Sequence, residues 1–148
     1  MRLSTRGRYG MRVLLELALN YGKGPISVKE ISKNQGLSKG YVEHIIVALQ
    51  KAGIVKTIRG KEGGCSLARE PAKISVAEAL NVLEGPLSPV ECIEDIRLCR
   101  RVKVCAVRDV WLGLKTTIEN FLRSITLADL VKIHREKIGS EQALMYYI

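Results

Sequence analysis

Long apolar runs are absent. No stretch of about 18 uncharged apolar residues occurs, so no membrane-spanning helix is expected, and the first residues lack the apolar core of a signal peptide. A soluble, cytoplasmic protein is the expectation. Catalytic motifs are missing too. There is no Cys-x-x-Cys, no phosphate-binding glycine loop and no histidine beside a cysteine, since His44 and His134 both lie elsewhere, so nothing points to an enzyme. Acid is scarce in one half. Residues 1–74 hold 14 Lys and Arg against five acids, while residues 75–148 hold ten of each sign, so the whole excess of +9 lies in the first half. A half so charged is suited to a polyanion. At 148 residues and 47% hydrophobic, the chain is long enough for one compact domain and an appended element.

The stretch from Ser27 to Leu67 organises the rest. Ser27-Val28-Lys29-Glu30 reads as a capping box in which each end satisfies the other's backbone amide, and Asn34-Gln35-Gly36 breaks that helix. Ser38 then caps a second helix, with Val42, Ile45, Ile46 and Leu49 inward and Gly53 as its stop. Lys39, Gly40, Glu43 and His44 are left on the outer face near its start. Helix, tight turn and helix form the helix-turn-helix layout, whose second helix fits a DNA major groove. Ile54 to Arg59 alternates apolar and polar residues with one exception at Val55, Gly60 to Gly64 supplies a turn, and Cys65-Ser66-Leu67 returns as a second strand. The hairpin is a wing with Arg59 and Lys61 at its tip, where a cation meets phosphate or enters a narrow minor groove.

Before this stretch, Met1 to Leu3 forms a strand or arm, and Ser4 or Thr5 caps a first helix with Tyr9, Val13, Leu14, Leu17, Ala18 and Tyr21 inward. Arg2, Arg6, Arg8 and Arg12 crowd its start against the helix dipole, a placement that phosphate contact would explain. After the wing, Ser75 to Glu78 is a second capping box, and Val76, Ala79, Leu80 and Leu83 face inward on a helix ending near Glu84. Gly85, Pro86 and Pro89 open an irregular loop. Val107, Trp111, Leu114, Ile118, Phe121 and Ile125 then keep a seven-residue repeat for about three heptads, which reads as a dimerisation helix or as a core-facing amphipathic one. Thr126 to Asp129 resembles a capping box for a last helix to about Lys137, stopped by Gly139, and the apolar tail from Ala143 to Ile148 docks or frays. The expected organisation is a DNA-binding unit at 1–84, a cysteine loop at 85–104, the dimer helix and final helix at 105–138 and a tail at 139–148.

Cys92, Cys99 and Cys105 are separated by six and five residues, and Cys65 stands apart in the wing as a small buried hydrophobe. For an intracellular chain, metal or redox chemistry is the better reading of three clustered thiols than structural disulfides. Soft sulfur suits iron-sulfur clusters and zinc alike, and Arg97, Arg100, Arg101, Lys103 and Arg108 favour the thiolate.

Met1-Arg2-Leu3-Ser4, Gly7-Arg8-Tyr9-Gly10, the helix from Ser38 to Gly53, Arg59-Gly60 with Gly63-Gly64, the three cysteines, Trp111 and the run from Phe121 to Leu130 together resemble the Rrf-type winged-helix transcription regulators. The likeness is greatest to that family's iron-sulfur cluster regulators, with nitric-oxide sensors and cysteine-metabolism repressors as relatives. It implies a mainly α fold, a winged helix-turn-helix DNA-binding domain with a long C-terminal dimerisation helix, working as a homodimer on a pseudo-palindromic double-stranded operator. It also implies DNA contacts from Ser38, Gly40, Tyr41, Glu43, His44 and Arg59, joined by Arg2, Lys39 and Lys61 on charge and position. An iron-sulfur cluster on Cys92, Cys99 and Cys105 follows as well, of the 2Fe-2S type or else 4Fe-4S. In the cluster-bearing members a histidine follows the third cysteine by three positions. Here that residue is Arg108, which cannot ligate, so the fourth ligand stays open among Glu91, Glu94, Asp95, Asp109 and a group of a second subunit. The alternative is a cluster-free repressor controlled by a partner enzyme or by thiol oxidation.

Overall fold

The computed structural model describes residues 2–146. Helix α1 spans Thr5–Leu19, α2 Val28–Gln35 and α3 Lys39–Lys51, followed by β1 at Val55–Ile58 and β2 at Gly64–Leu67. Then come α4 at Val76–Glu84, the single turn α5 at Glu91–Glu94, α6 at Ala106–Arg123 and α7 at Leu127–Tyr146. The architecture is mainly helical with one small antiparallel hairpin.

Serine starts four of these helices. The hydroxyls of Ser4, Ser27, Ser38 and Ser75 accept from the amides of Gly7, Glu30, Tyr41 and Glu78 at 3.1–3.2 Å, each satisfying a donor that the first turn leaves free. The reciprocal half of the two expected Ser–Glu boxes is not among the hydrogen bonds of the described residues. Glu78 turns instead to the guanidinium of Arg69, a charge-assisted partner stronger than a backbone amide. The complete box is the one at Thr126. Its amide donates to Asp129 Oδ2 at 2.8 Å, and the Asp129 amide donates back to Thr126 Oγ1 at 3.2 Å. The Thr126 amide foremost, and the Thr126 hydroxyl donating to the same Asp129 oxygen at 2.7 Å, hold the Asp129 carboxyl below its ordinary range.

One core joins both ends of the chain. Val13, Leu14 and Leu17 of α1, Ile31 of α2, Val42, Ile45 and Leu49 of α3, Leu67 of β2 and Leu127 of α7 are at most 2% exposed within it. Each such side chain contributes about 1.5–3 kcal/mol by leaving water. The hairpin pairs Val55 with Leu67 and Ile58 with Gly64, and the backbone of Ile26 joins its outer edge through both amides of the Ile26–Cys65 pair, at 2.8 and 2.9 Å. A second bridge, Ser75 with Thr126, ties the entry of α4 to that of α7. The final helix therefore packs on α1 and shares the core of residues 1–84.

Four local expectations change. Gly139 does not stop the last helix, which runs on to Tyr146, and Ser140 Oγ donates to the Glu136 carbonyl at 2.9 Å within it. A mid-helix glycine costs only about 1 kcal/mol against alanine, too little to end a helix whose neighbours favour it. Residues 143–146 of the expected tail are helical and exposed, while Tyr147 and Ile148 lie outside the described residues, as does Met1. The loop at 85–104 is not wholly irregular, since it holds α5 and tight turns at Ile96–Leu98 and Val102–Val104. Tyr21 lies past the end of α1 and is exposed, because the helix closes at Asn20 before the apolar stripe reaches it.

Candidate nucleic-acid interface and cysteine loop

The start of α3 is open. Ser38, Lys39, Gly40, Glu43 and His44 are exposed and Tyr41 is half-buried, while the opposite side of the helix is sealed in the core. No atom would meet a Cβ placed on Gly40, so its surroundings are clear for a large partner. Lys39 Nζ lies 3.8 Å from Glu43 Oε1, so the one carboxylate on this face is partly offset by a cation a turn away. Arg59 and Lys61 occupy the exposed turn between the wing strands, and neither is paired with an acid among the described residues. Arg2 is exposed ahead of α1.

The turn between α2 and α3 falls where Asn34-Gln35-Gly36 placed it, but it is braced by Glu16, which sequence reasoning did not single out. Gly36 adopts φ 63°, the left-handed conformation that lets the chain leave α2 sharply. Glu16, buried in α1, accepts from Asn34 Nδ2 at 2.5 Å and from Gln35 Nε2 at 2.6 Å. Arg12 reaches the same turn, its Nε donating to Gln35 Oε1 at 3.0 Å and its Nη2 to the Gln35 carbonyl at 2.9 Å. The Arg12 guanidinium also lies 5.3 Å from the centre of the Tyr9 ring, and Tyr9 meets Tyr41 edge-on at 6.2 Å. The signal for Glu16 was its setting, one acid inside the run Leu14-Leu15-Glu16-Leu17-Ala18.

The start of α1 is also capped from a distance. No acid lies in its first turn, but Glu84, from the end of α4, accepts there from the Ser4 amide at 2.9 Å and from its hydroxyl at 2.6 Å. A carboxylate from a distant helix thus supplies the negative charge that the dipole favours. Gly7 makes room for it, since a Cβ there would fall 1.9 Å from Glu84 Oε1.

The cysteine loop is held at one end. Cys92 sits on α5, Cys99 between the two tight turns and Cys105 just before α6, all as free, half-buried thiols. Ile93 is buried, and Lys115 of α6 donates to Glu94 Oε1 at 2.5 Å, which lowers the Glu94 carboxyl and raises the Lys115 ammonium. Arg97 is engaged by Asp95 at 2.8–3.2 Å. Three soft thiols suit an iron-sulfur cluster in kind. Among the described residues no three His, Cys, Asp or Glu side chains gather as a metal-holding group. Arg108, at the position of the expected histidine, has a buried Nε without a hydrogen-bond partner. Cys65 is buried in β2, and burial pushes its thiol up, as expected of a core residue.

Helix α6 differs from the others. None of its residues is buried, and its seam residues Val107, Leu114 and Phe121 are 54, 42 and 63% exposed. No helix among the described residues is long and apolar enough to cross a membrane.

Comparison with known proteins gives these features a context. The chain is 40% identical to the HTH-type transcriptional regulator CymR of Bacillus subtilis over all 148 residues, the full length of both. The solved structure of that protein matches with a TM-score of 0.75 over 90% of this chain and 98% of the other. A structure of T. potens IscR matches equally, with a TM-score of 0.75 at 41% identity over 93% of this chain and 90% of that one. IscR of Xenorhabdus nematophila is 35% identical over 132 residues, 89% of this chain and 80% of its own. These relatives are transcriptional regulators, not enzymes. The model of the Rrf2 family, described as iron-dependent transcriptional regulators, matches residues 3–133. By these matches the chain belongs to the Rrf2 family of DNA-binding transcriptional regulators.

Proposed function

We propose that two copies of this chain, joined along α6, bind a pseudo-palindromic duplex in the cytoplasm as a repressor, and that the loop thiols Cys92, Cys99 and Cys105 are its sensing groups. The observation that carries this reading is the contrast between the two sides of α3, sealed inward and open outward, beside an unpaired cationic wing turn. Ser38, Lys39, Gly40, Tyr41, Glu43 and His44 would face base edges and nearby phosphates, with Arg2, Arg59 and Lys61 on the backbone or in the minor groove. Glu43 would accept from a cytosine amine. The α6 seam supports the pairing, because an apolar stripe kept over three heptads is stable only when covered. Binding is expected to weaken steeply with salt. Mobility-shift titration of the chain's own upstream DNA against a scrambled duplex, at low and moderate salt, tests the reading; equal binding to both would overturn it.

The sensing chemistry has two readings. In the first, the three thiols hold an iron-sulfur cluster, of the 2Fe-2S type or else 4Fe-4S, supported by the number of soft donors and by the likeness to IscR. In the second, no cluster is held and a partner enzyme or thiol oxidation acts on the loop, supported by the scattered placement of the thiols and by the full-length likeness to CymR. Iron and sulfide content with the absorption spectrum, measured on protein purified without oxygen, separates them. Near-stoichiometric iron and sulfide that vanish in Cys99→Ala establish the first, and their absence leaves the second.

A further inference from the structure

Glu16 is the one charged or polar residue buried among the described residues, at 9% exposure. An apolar side chain would continue the stripe of α1 without the cost of removing a charge from water. The carboxylate persists instead, with each oxygen taking a side-chain amide of the turn that leads into α3. From there the contacts run onward. Gln35, held at its nitrogen by Glu16, offers its side-chain oxygen and its main-chain carbonyl to Arg12, and the latter bond satisfies an acceptor that the end of α2 leaves free. Arg12 stands over Tyr9, and Tyr9 abuts Tyr41 in the first turn of α3. Both ends of the turn, the close of α2 and the opening of α3, are thereby referenced to α1.

We propose that Glu16 is a positioning residue for sequence readout: through Asn34, Gln35 and Arg12 it fixes the angle at which α3 leaves its turn. The proposal rests on the reading of α3 as the helix that meets base edges. Base contacts need side chains held to hydrogen-bond distance, whereas phosphate contacts tolerate a shifted helix. Slackening the turn therefore weakens binding to a preferred duplex and leaves sequence-independent binding in place. Arg12 is in this account a brace and not a phosphate ligand.

The test uses the full-length dimer and a duplex enriched by the wild-type protein from a random-sequence library, set against a scrambled duplex. Glu16→Gln keeps the shape but faces an amide donor with another donor. It is expected to lower affinity for the enriched duplex about tenfold, the scale of one lost bidentate base contact, with scrambled-duplex affinity and salt slope unchanged. Arg12→Lys keeps the charge but not the fork, and the same selective loss is expected. Parallel loss on both duplexes, or no loss on the enriched one, overturns the proposal, as does wild-type behaviour of Arg12→Lys. Should Glu16→Gln not fold, Gln35→Met on the half-buried rim breaks the same chain and must show the same selectivity loss. A wild-type protein that enriches no duplex fails at the earlier step, and that failure strikes the regulator reading itself.

Discussion

In α3 the stripe residues Val42, Ile45, Ile46 and Leu49 are all at most 3% exposed, whereas in the longer α6 no residue is buried at all. Both helices carry apolar residues at spacings of three and four. In α3 that stripe meets α1, α4 and β1 of its own chain. In α6 the chain offers α4 and the single turn α5, which leave Trp111, Ile118 and Ile125 half-buried and Val107, Leu114 and Phe121 exposed. An apolar period thus states that a face needs covering without saying by what. The first region covers its own stripe, and the second leaves part of its stripe uncovered.

The comparison can be broken at either end. The largest effect is expected in the self-complete region: Leu49→Ala should remove about 2–5 kcal/mol of stability, read as a lower urea midpoint, because a well-packed site cannot collapse around the void. A loss below about 1 kcal/mol would mean that the α3 face is less firmly covered than its burial indicates. Next comes the seam. Leu114→Glu combined with Phe121→Glu should leave the helical circular dichroism nearly intact, convert the proposed dimer to monomer in sedimentation and cut affinity for a preferred duplex by about a hundredfold through lost bivalency. A variant that stays dimeric would show that α6 is not the pairing surface.

Smaller effects sharpen the comparison at the duplex. Arg59→Ala should weaken binding to all sequences alike and lower the salt slope by about one, whereas Glu43→Ala should broaden sequence choice. A uniform change from Glu43→Ala would remove its readout role. Least of all is the cap of α7. The folded Asp129 carboxyl titrates below its unfolded value, so its stabilisation is present above the ordinary carboxyl range near pH 4 and is lost as pH falls through the folded value. Asp129→Asn should therefore flatten the acid end of the stability profile, removing a small stabilisation at neutral pH and changing little at low pH, measured by denaturant midpoints across pH.

Much of the local structure was legible because it is set by neighbours in sequence. Ser38, the stripe from Val42 to Leu49 and Gly53 frame α3 within two residues, and the Thr126–Asp129 box forms in full. Legibility failed where a distant partner decided the outcome. Glu78 left its box for Arg69, Glu84 capped a helix 80 residues away, and Glu16 counted only as one acid among five until its amide partners were visible. Gly139 was misread because a glycine's penalty is small beside the propensities around it.

From the chain alone came the helices of the first half, the wing, the basic half and the recurring apolar seam, since each depends on spacing, caps and charge carried by the residues themselves. Only the folded molecule decided that α7 returns to the core of the first half and that one buried carboxylate holds the turn ahead of α3. Those outcomes depend on which surfaces meet across long stretches of chain, and packing and hydrogen-bond complementarity between distant groups set them, not any period along the sequence.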